Sequence, residues 1–381
     1  MLSEEKVFCQ PAWVLESDAV RLAVTQLAGH MAPVEFGLGT GAPVQPFHIS
    51  RWQCEETEYL NGRSEKCLRG DFFCLPFGKA DPEDGTPSHG RTPSGKWSFG
   101  GHRVEGGVET LRIEMEKALH EARVVREYSL RAGEGVVYDR TTISGLDGAY
   151  TMGHHAVLRV PAKEQALLVS TSKQAFGMTF PAPFGDPGEA EYQSLAIAAE
   201  FSNLSAVPSL FKGVPDQDCS RYPARKGFSD LIQIGVEAEA GKPAWSAAVN
   251  SEEGYVWFSL RDPGLLPSTI LWIENAGRHR APWNGRNSSL GIEDVCAYFD
   301  TGSASSRKEN PFSKRGIATV HAFKKERPDT ISYLQGAVRT PAGFTHVRSV
   351  RFEDGRVTLA DAAGKEVSCA ARTGFVFGEK L

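Results

Sequence analysis

Glu293 stands inside an apolar run, with Leu290, Ile292, Val295 and Ala297 around it, and such a run reads as a buried strand. Burying a bare carboxylate is costly, so a carboxylate placed there is either paired or set to act on something. A general base at the floor of a cleft is the chemistry this placement suggests. The stretch that leads into it, Leu271 to Phe299, is rich in Trp, Arg and Asn and carries Trp272, Trp283, Arg278, Arg280 and Arg286. The arginines suit an anionic group or a solvated loop; the tryptophans suit a flat apolar ligand face or plain core packing.

Two further places carry histidines. In LRGDFFCLPFG followed by PSHGRTPSGKW, Arg69 precedes Gly70 and an apolar run, and His89 lies in a Gly/Pro loop where it either meets a ligand or caps a turn. In MGHHAVLRVP, His154 and His155 are adjacent. On a strand they point to opposite faces, so one can enter a cleft while the other is packed or exposed. A metal site is disfavoured because no H-x-x-x-H or H-x-H spacing occurs, and a serine hydrolase because no G-x-S-x-G elbow occurs.

The elements that would position these groups are short, apolar or alternating segments separated by Gly and Pro: VRLAVTQL, GVVYDRTTI, HAVLRV, GYVWFSL, STILWIE and FTHVRSVRF among them. They are rich in Val, Ile, Thr and aromatics and show no strand-then-helix alternation, so they predict an all-β sandwich or barrel. Glu109 to Tyr128 contains good helix formers in EMEKALHEARVVRE, but Leu111, Ile113 and Met115 alternate, which reads as β; an amphipathic surface helix is the alternative. Asp81 to Gly95 and Phe180 to Gly188 read as loops, the first as a cleft wall, and the Ser- and Lys-rich Gly302 to Arg315 as a mobile segment. One domain spanning residues 1–381 is expected, built from enlarged sheets.

The net charge of −5 is mixed along the chain and has no basic block, which argues against nucleic acid and membrane surfaces as partners. No apolar run reaches membrane-spanning length, and the acidic start MLSEEKVFCQPAW lacks the regions of a signal peptide. The seven cysteines are odd in number, irregularly spaced and without C-x-x-C, so reduced thiols in a cytoplasmic protein are expected, with neither a disulfide framework nor structural zinc.

These residues resemble the aldose 1-epimerase (galactose mutarotase-like) superfamily, and most nearly its glucose-6-phosphate 1-epimerase branch. The family's RGG-apolar-FG reads here as Arg69-Gly70-Asp71 and FFCLPFG; its HGFAR-x-x-x-W as His89-Gly90 and Trp97; its HTYFRV as HAVLRV with His155 and Arg159. Its tryptophan strand and catalytic strand match LWIEN, with Trp272, and LGIED, with Glu293. The order agrees from Arg69 to Glu293. Pro93 replaces the family arginine of HGFAR, with Arg91 displaced by two, Val157-Leu158 replace the aromatic pair, and WIENAGRHRAPWNGRNSS is a richer insert than the family norm.

The resemblance implies a large β-sandwich (supersandwich) with few short helices, and interconversion of the α and β anomers of an aldose, free or phosphorylated. Glu293 would be the base on the C1 hydroxyl, His155 the acid on the ring oxygen, and His89 a polarising partner. Arg69 and Asp230, with Asp218 as the fallback, would fix hydroxyls; Trp283 or Trp272 would stack on the ring; Arg286 and His154 complete the expected binding set. Acid–base ring opening calls for no metal and no organic cofactor. The partner is then a small sugar or sugar phosphate. A non-catalytic carbohydrate-binding protein on the same scaffold is the main alternative, and a polysaccharide lyase or hydrolase, using Tyr192, Tyr222 or Tyr298, is a weaker one.

Overall fold

A computed structural model describes all 381 residues. Nearly every regular element is a strand, and the only α-helix is the single turn Ser303–Ser306. Antiparallel pairing joins the strands into an 11-stranded and a 9-stranded sheet, with a 3-stranded sheet near the C-terminus. The architecture is the large β-sandwich expected from the strand-rich sequence.

The larger sheet begins with the N-terminal meander from Leu2 to Phe36 and continues through the strands Asp71–Cys74, Met152–Arg159, Ser288–Cys296, Ser268–Asn275 and Phe228–Val236. These last five lie in the middle of the sheet, where their backbones are paired on both sides. Central strands cannot shift without breaking two ladders, so side chains on them are held in fixed positions. One face of this sheet packs on the smaller sheet through a core that includes Leu22, Leu111, Val124, Ile232, Leu271 and Trp257. Its other face carries a second cluster, with Phe72, Val157, Leu231, Trp272, Trp283 and Phe299. The C-terminal sheet, Val347–Glu353, Arg356–Asp361 and Glu366–Ala370, covers the outer face of the 9-stranded sheet, where Val357 and Leu359 join Val136, Tyr138 and Phe258.

Glu109 to Tyr128 is β, as the alternation suggested: Val108–Leu119 and Ala122–Arg131 form a hairpin. Leu111, Ile113 and Met115 are buried on one side, so burial against the opposite sheet overrides the helix propensity of Glu, Met and Lys. Gly302 to Arg315 is pinned: Ser303 Oγ lies 2.9 Å from Thr151 Oγ1, Ala304 N donates to Asp81 Oδ2, and Phe312 is fully buried.

Cys9 and Cys54 form a disulfide, which corrects the expectation of reduced thiols throughout; the other five cysteines are free and buried. The pairing joins the turn of the first hairpin to a segment 45 residues away, a separation that no local spacing motif announces. The cysteine pattern therefore gives no support to a reducing compartment. No helix is long and apolar enough to cross a membrane.

Between the two large sheets lies a buried polar layer. Asp294 accepts from Ser246, Ser259, Thr269 and Tyr333 and pairs with Arg261 at 2.7 Å. His154 stacks on the Tyr333 ring with centroids 3.9 Å apart and bonds Asp71 through Nδ1 at 2.9 Å. Arg126 bonds Asp139 and stands 3.6 Å from Asp71. Asp71, Asp139 and His154 thus cluster closely, but the guanidinium of Arg126 already supplies the positive charge such a cluster would draw. Charges this deep persist because each has a partner.

Candidate active site

His155 and Glu293 are directly opposite one another on neighbouring antiparallel strands, His155 on Met152–Arg159 and Glu293 on Ser288–Cys296. Both side chains rise from the outer face of the larger sheet, and His155 Nε2 is 3.1 Å from Glu293 Oε1. Gly291, two residues before Glu293, keeps the space beside the carboxyl open. A Cβ there would sit 2.8 Å from Glu293 Oε1 and 3.0 Å from Trp272 Cβ. Phe72, paired with His155 on its other side, stacks on the imidazole at 4.5 Å and limits its rotation.

The pair forms the floor of a cavity of about 220 Å³. That is below the roughly 300–1,000 Å³ of sites for drug-sized ligands, so the room suits a single ring better than a chain of them. Phe72, Phe184, Leu231, Trp272 and Trp283 supply apolar wall. Lys79, Arg278, Glu65 and Asp300 supply charge, and His89 stands opposite the sheet. A flat, partly apolar ring with polar edges is the ligand shape this mixture complements.

His89 comes from the Asp81–Gly95 loop, which forms a wall of the cavity as its composition suggested. His89 has φ +63° and is followed by Gly90 at φ +81°, where a Cβ would strike Leu75 O at 2.0 Å. This tight turn is fixed at both ends: His89 N donates to Gly78 O, and Gly78 N donates to His89 Nδ1 at 3.3 Å. With Nδ1 accepting, the ring proton of neutral His89 sits on Nε2. The His89 ring meets that of His155 edge-on, with centroids 5.7 Å apart.

Burial sets the protonation of the pair. It pushes Glu293 well above the usual carboxyl range, and the charge of Asp300 adds to this while Arg278 opposes it. It pushes His155 well below the usual imidazole range, helped by His89 and His30. His89 is lowered by burial, against the pull of Asp300 and Glu65. Both directions favour the neutral forms, a carboxylic acid that holds the transferable proton beside a neutral imidazole. Moving that proton across the 3.1 Å contact turns carboxylic acid and imidazole into carboxylate and imidazolium, one base and one acid side by side.

The other expected site residues divide sharply. Trp283 lines the cavity, edge-on to Trp272 at 5.6 Å and to Trp52 at 4.9 Å. Arg69 does not reach it. Its guanidinium is buried against the first hairpin turn, donating to Val7 O, Phe8 O and Gln53 Oε1, because that turn leaves carbonyls that need a donor. Asp230 faces away: Leu231, not Asp230, has the parity of the cavity face, and the Asp230 carboxylate accepts from Ser194 and Leu195. The fallback, Asp218, pairs with Arg221 at 3.3 Å away from the cavity. Arg286 is tied to Glu55 at 2.7 Å and to Pro282 O. His154, one residue from His155, is turned into the layer between the sheets.

Several cavity residues carried no clear sequence signal. Arg278 belonged to a cluster that read as readily as solvated loop; it stands over the Trp272 and Trp283 rings at 5.2 and 5.0 Å. Lys79 follows the FG of the apolar run, and Asp300 follows Phe299, whose φ of +50° turns the chain back toward the cavity.

Compared with known proteins, the chain matches no family model and no curated protein sequence. Solved structures do match. One is a proposed mutarotase from Salmonella typhimurium, with a TM-score of 0.57 at 14% identity over 89% of this chain and 94% of the other. Another is a galactose mutarotase-like protein from Clostridium acetobutylicum, with a TM-score of 0.56 at 11% identity over 89% and 98%. The fold is galactose mutarotase-like. A galactose mutarotase related enzyme from Lactobacillus acidophilus shares it as well, with a TM-score of 0.52 at 8% identity over 86% and 98%. At these identities the mutarotase-like scaffold is what is common; the glucose-6-phosphate branch is not singled out.

Proposed function

We propose that this chain is an aldose 1-epimerase that opens and recloses a pyranose ring by paired acid–base catalysis. The observation that carries the reading is the His155–Glu293 contact of 3.1 Å at the floor of a ring-sized cavity. The mutarotase-like fold of the structural neighbours supports it.

In the anomeric centre O1 and the ring oxygen O5 are both bonded to C1, so two adjacent protein groups can reach both. Glu293, as carboxylate, takes the proton of the C1 hydroxyl. His155, as imidazolium, gives its proton to O5, and the C1–O5 bond breaks to leave the open aldehyde. Rotation about C1–C2 presents the other carbonyl face. O5 then attacks, its proton returns to His155, and O1 regains a proton from Glu293. No net proton is consumed, which matches a pair that stores one. Each assisted transfer supplies about 10²–10⁴-fold. His89, through Nε2–H, polarises the departing ring oxygen, and Trp272 and Trp283, whose rings lie under Arg278, supply apolar wall beside the sugar. The substrate is an aldose, free or phosphorylated.

A carbohydrate-binding module would need the aromatic walls but not an acid and a base in contact beneath them; their closeness favours the enzyme. Exchange spectroscopy by NMR on several aldoses tests the reading. Glu293→Gln is expected to abolish catalysed anomer exchange while sugar binding persists. Exchange at the wild-type rate in that variant would remove Glu293 from the mechanism.

A further inference from the structure

Arg69 and Asp230, the two residues expected to grip the sugar hydroxyls, are both committed elsewhere. The cavity nevertheless contains one guanidinium and one carboxylate that the fold leaves unspent. We propose that Arg278 and Asp300 form the hydroxyl clamp of this site and determine which aldose it accepts, an inference that rests on the epimerase reading above.

Both groups are fixed at their roots and open at their tips. The Arg278 backbone N–H donates to Glu274 Oε1 at 3.3 Å, and its guanidinium lies over the rings of Trp272, Trp283 and Phe184. Its nearest carboxylate oxygen, Glu274 Oε2, is 3.8 Å from Nε, too far for a hydrogen bond, so the planar fork keeps its N–H groups for the cavity. Asp300 sits where the chain is locked against the Gly78–Lys79 turn: Lys79 N donates to Asp300 O at 2.6 Å, and a Cβ on Gly78 would strike the Asp300 carbonyl at 2.7 Å. The preceding Phe299 is fixed by its N–H to Gln233 Oε1. The side-chain Oδ1 of Asp300 is buried and has no hydrogen-bond partner in the protein.

A guanidinium that only donates and a carboxylate that only accepts are complementary to vicinal hydroxyls, which do both. Both groups line the same small cavity as Glu293 and His155. In a cavity that holds one ring, the clamp and the acid–base pair meet the same sugar. Lys79 and Glu65 line the same cavity, so a single anionic or cationic substituent is not what the charge balance selects.

The test is calorimetric binding of glucose, galactose and a series of their monodeoxy analogues to the wild type, Asp300→Asn, Arg278→Met and the control Asp230→Asn. In the wild type, at least one deoxy analogue is expected to bind roughly tenfold or more weakly than its parent, since a site built around a hydroxyl penalises its loss. Asp300→Asn and Arg278→Met are each expected to weaken the parent sugar by a similar factor and to erase the discrimination against one deoxy position, while Asp230→Asn keeps the wild-type pattern. Arg278→Lys, which keeps the charge and loses the fork, gives the same readout should the methionine variant fold poorly. Unchanged affinity and an unchanged deoxy pattern in Asp300→Asn and in an Arg278 variant overturn the clamp. Binding does not need turnover, so a wild type that shows the pattern but exchanges no anomers overturns the epimerase reading and leaves the clamp; a wild type that binds no aldose overturns both.

Discussion

His154 and Asp294 face one another across the same two strands as His155 and Glu293, one step along and on the opposite side of the sheet. One imidazole–carboxyl couple opens onto the cavity. The other is sunk in the layer between the sheets, where Asp71 holds the imidazole and Arg261 and Tyr333 hold the carboxylate. The chemistry of two nearly identical couples is thus set by what surrounds them.

Glu293 is held neutral by burial, and this has a cost that depends on pH. Its folded pKa lies above the unfolded value of 4.5, so an unfolded chain loses the proton first as pH rises, and stability falls until the folded pKa is passed. Glu293→Gln lacks this drain. It is expected to match the wild type in acid and to exceed it increasingly as pH rises above the unfolded value, by up to about 1.4 kcal/mol for each pH unit until the raised folded pKa is passed. Urea titrations of both proteins across that range check this. Parallel curves would mean that Glu293 is not raised.

The activity of the wild type should be bell-shaped in pH. The pair must keep one proton: a second, taken up mainly at His155, removes the base, and loss of the only one, mainly from Glu293, removes the acid. With His155 lowered and Glu293 raised, the two limbs are driven apart and the plateau between them is broad. The kcat/KM profile for anomer exchange measures both limbs; a narrow optimum centred on an ordinary histidine pKa would contradict the assignment.

Gly291→Ala places a methyl 2.8 Å from Glu293 Oε1 and 3.0 Å from Trp272 Cβ. Displacing a reacting group by an ångström can cost about 10²-fold, so kcat is expected to fall by about that factor while the chain still folds. Anomer exchange measured beside a thermal melt separates the two effects.

Arg261→Met should be costly without touching the cavity. It strips Asp294 of its cation and leaves a buried charge, a change worth about 3–5 kcal/mol. Denaturant unfolding gives the loss, and exchange per folded molecule should stay near the wild-type rate.

The disulfide offers a test of the cavity wall. Cys54 adjoins Trp52 and Gln53; Trp52 meets Trp283, and Gln53 anchors Arg69. Reduction, or Cys9→Ser with Cys54→Ser, is expected to lower stability by about 2–4 kcal/mol. It should also raise KM more than it lowers kcat. Thiol titration of the denatured, unreduced protein should find five thiols.

Much of this was legible in the sequence, and the boundary is physical. Alternation within a strand is local, so the β reading of Leu111, Ile113 and Met115 and the divergence of His154 from His155 were both readable. Glu293 announced itself as a charge in an apolar run. What strand parity does not reveal is which neighbour claims a long side chain. Arg69 has a reach that takes it to the carbonyls of a hairpin more than sixty positions earlier, and that turn becomes its neighbour only after folding. Asp230 missed the cavity by one residue, the smallest error that changes a face. The Cys9–Cys54 pairing depends on the same tertiary approach. Asp300 and Lys79 meet through a backbone contact between loops, which no single-segment pattern encodes.

The buried arginines have one more consequence, for how the chain finds its alignment. A slip of one position in both central strands would set Asp294 and His154 in the cavity in place of Glu293 and His155, still an imidazole beside a carboxyl. On that side only Gly291 resists, since Ile292 would take its place against Trp272. The misaligned sheet would also confront Arg261 with Val295 and Asp71 with Gly153, and the serine, threonine and tyrosine hydroxyls fitted to Asp294 would lose their acceptor together. Arg261 and its neighbours act as a reading frame, proofreading from beneath the sheet the placement of the residues above it.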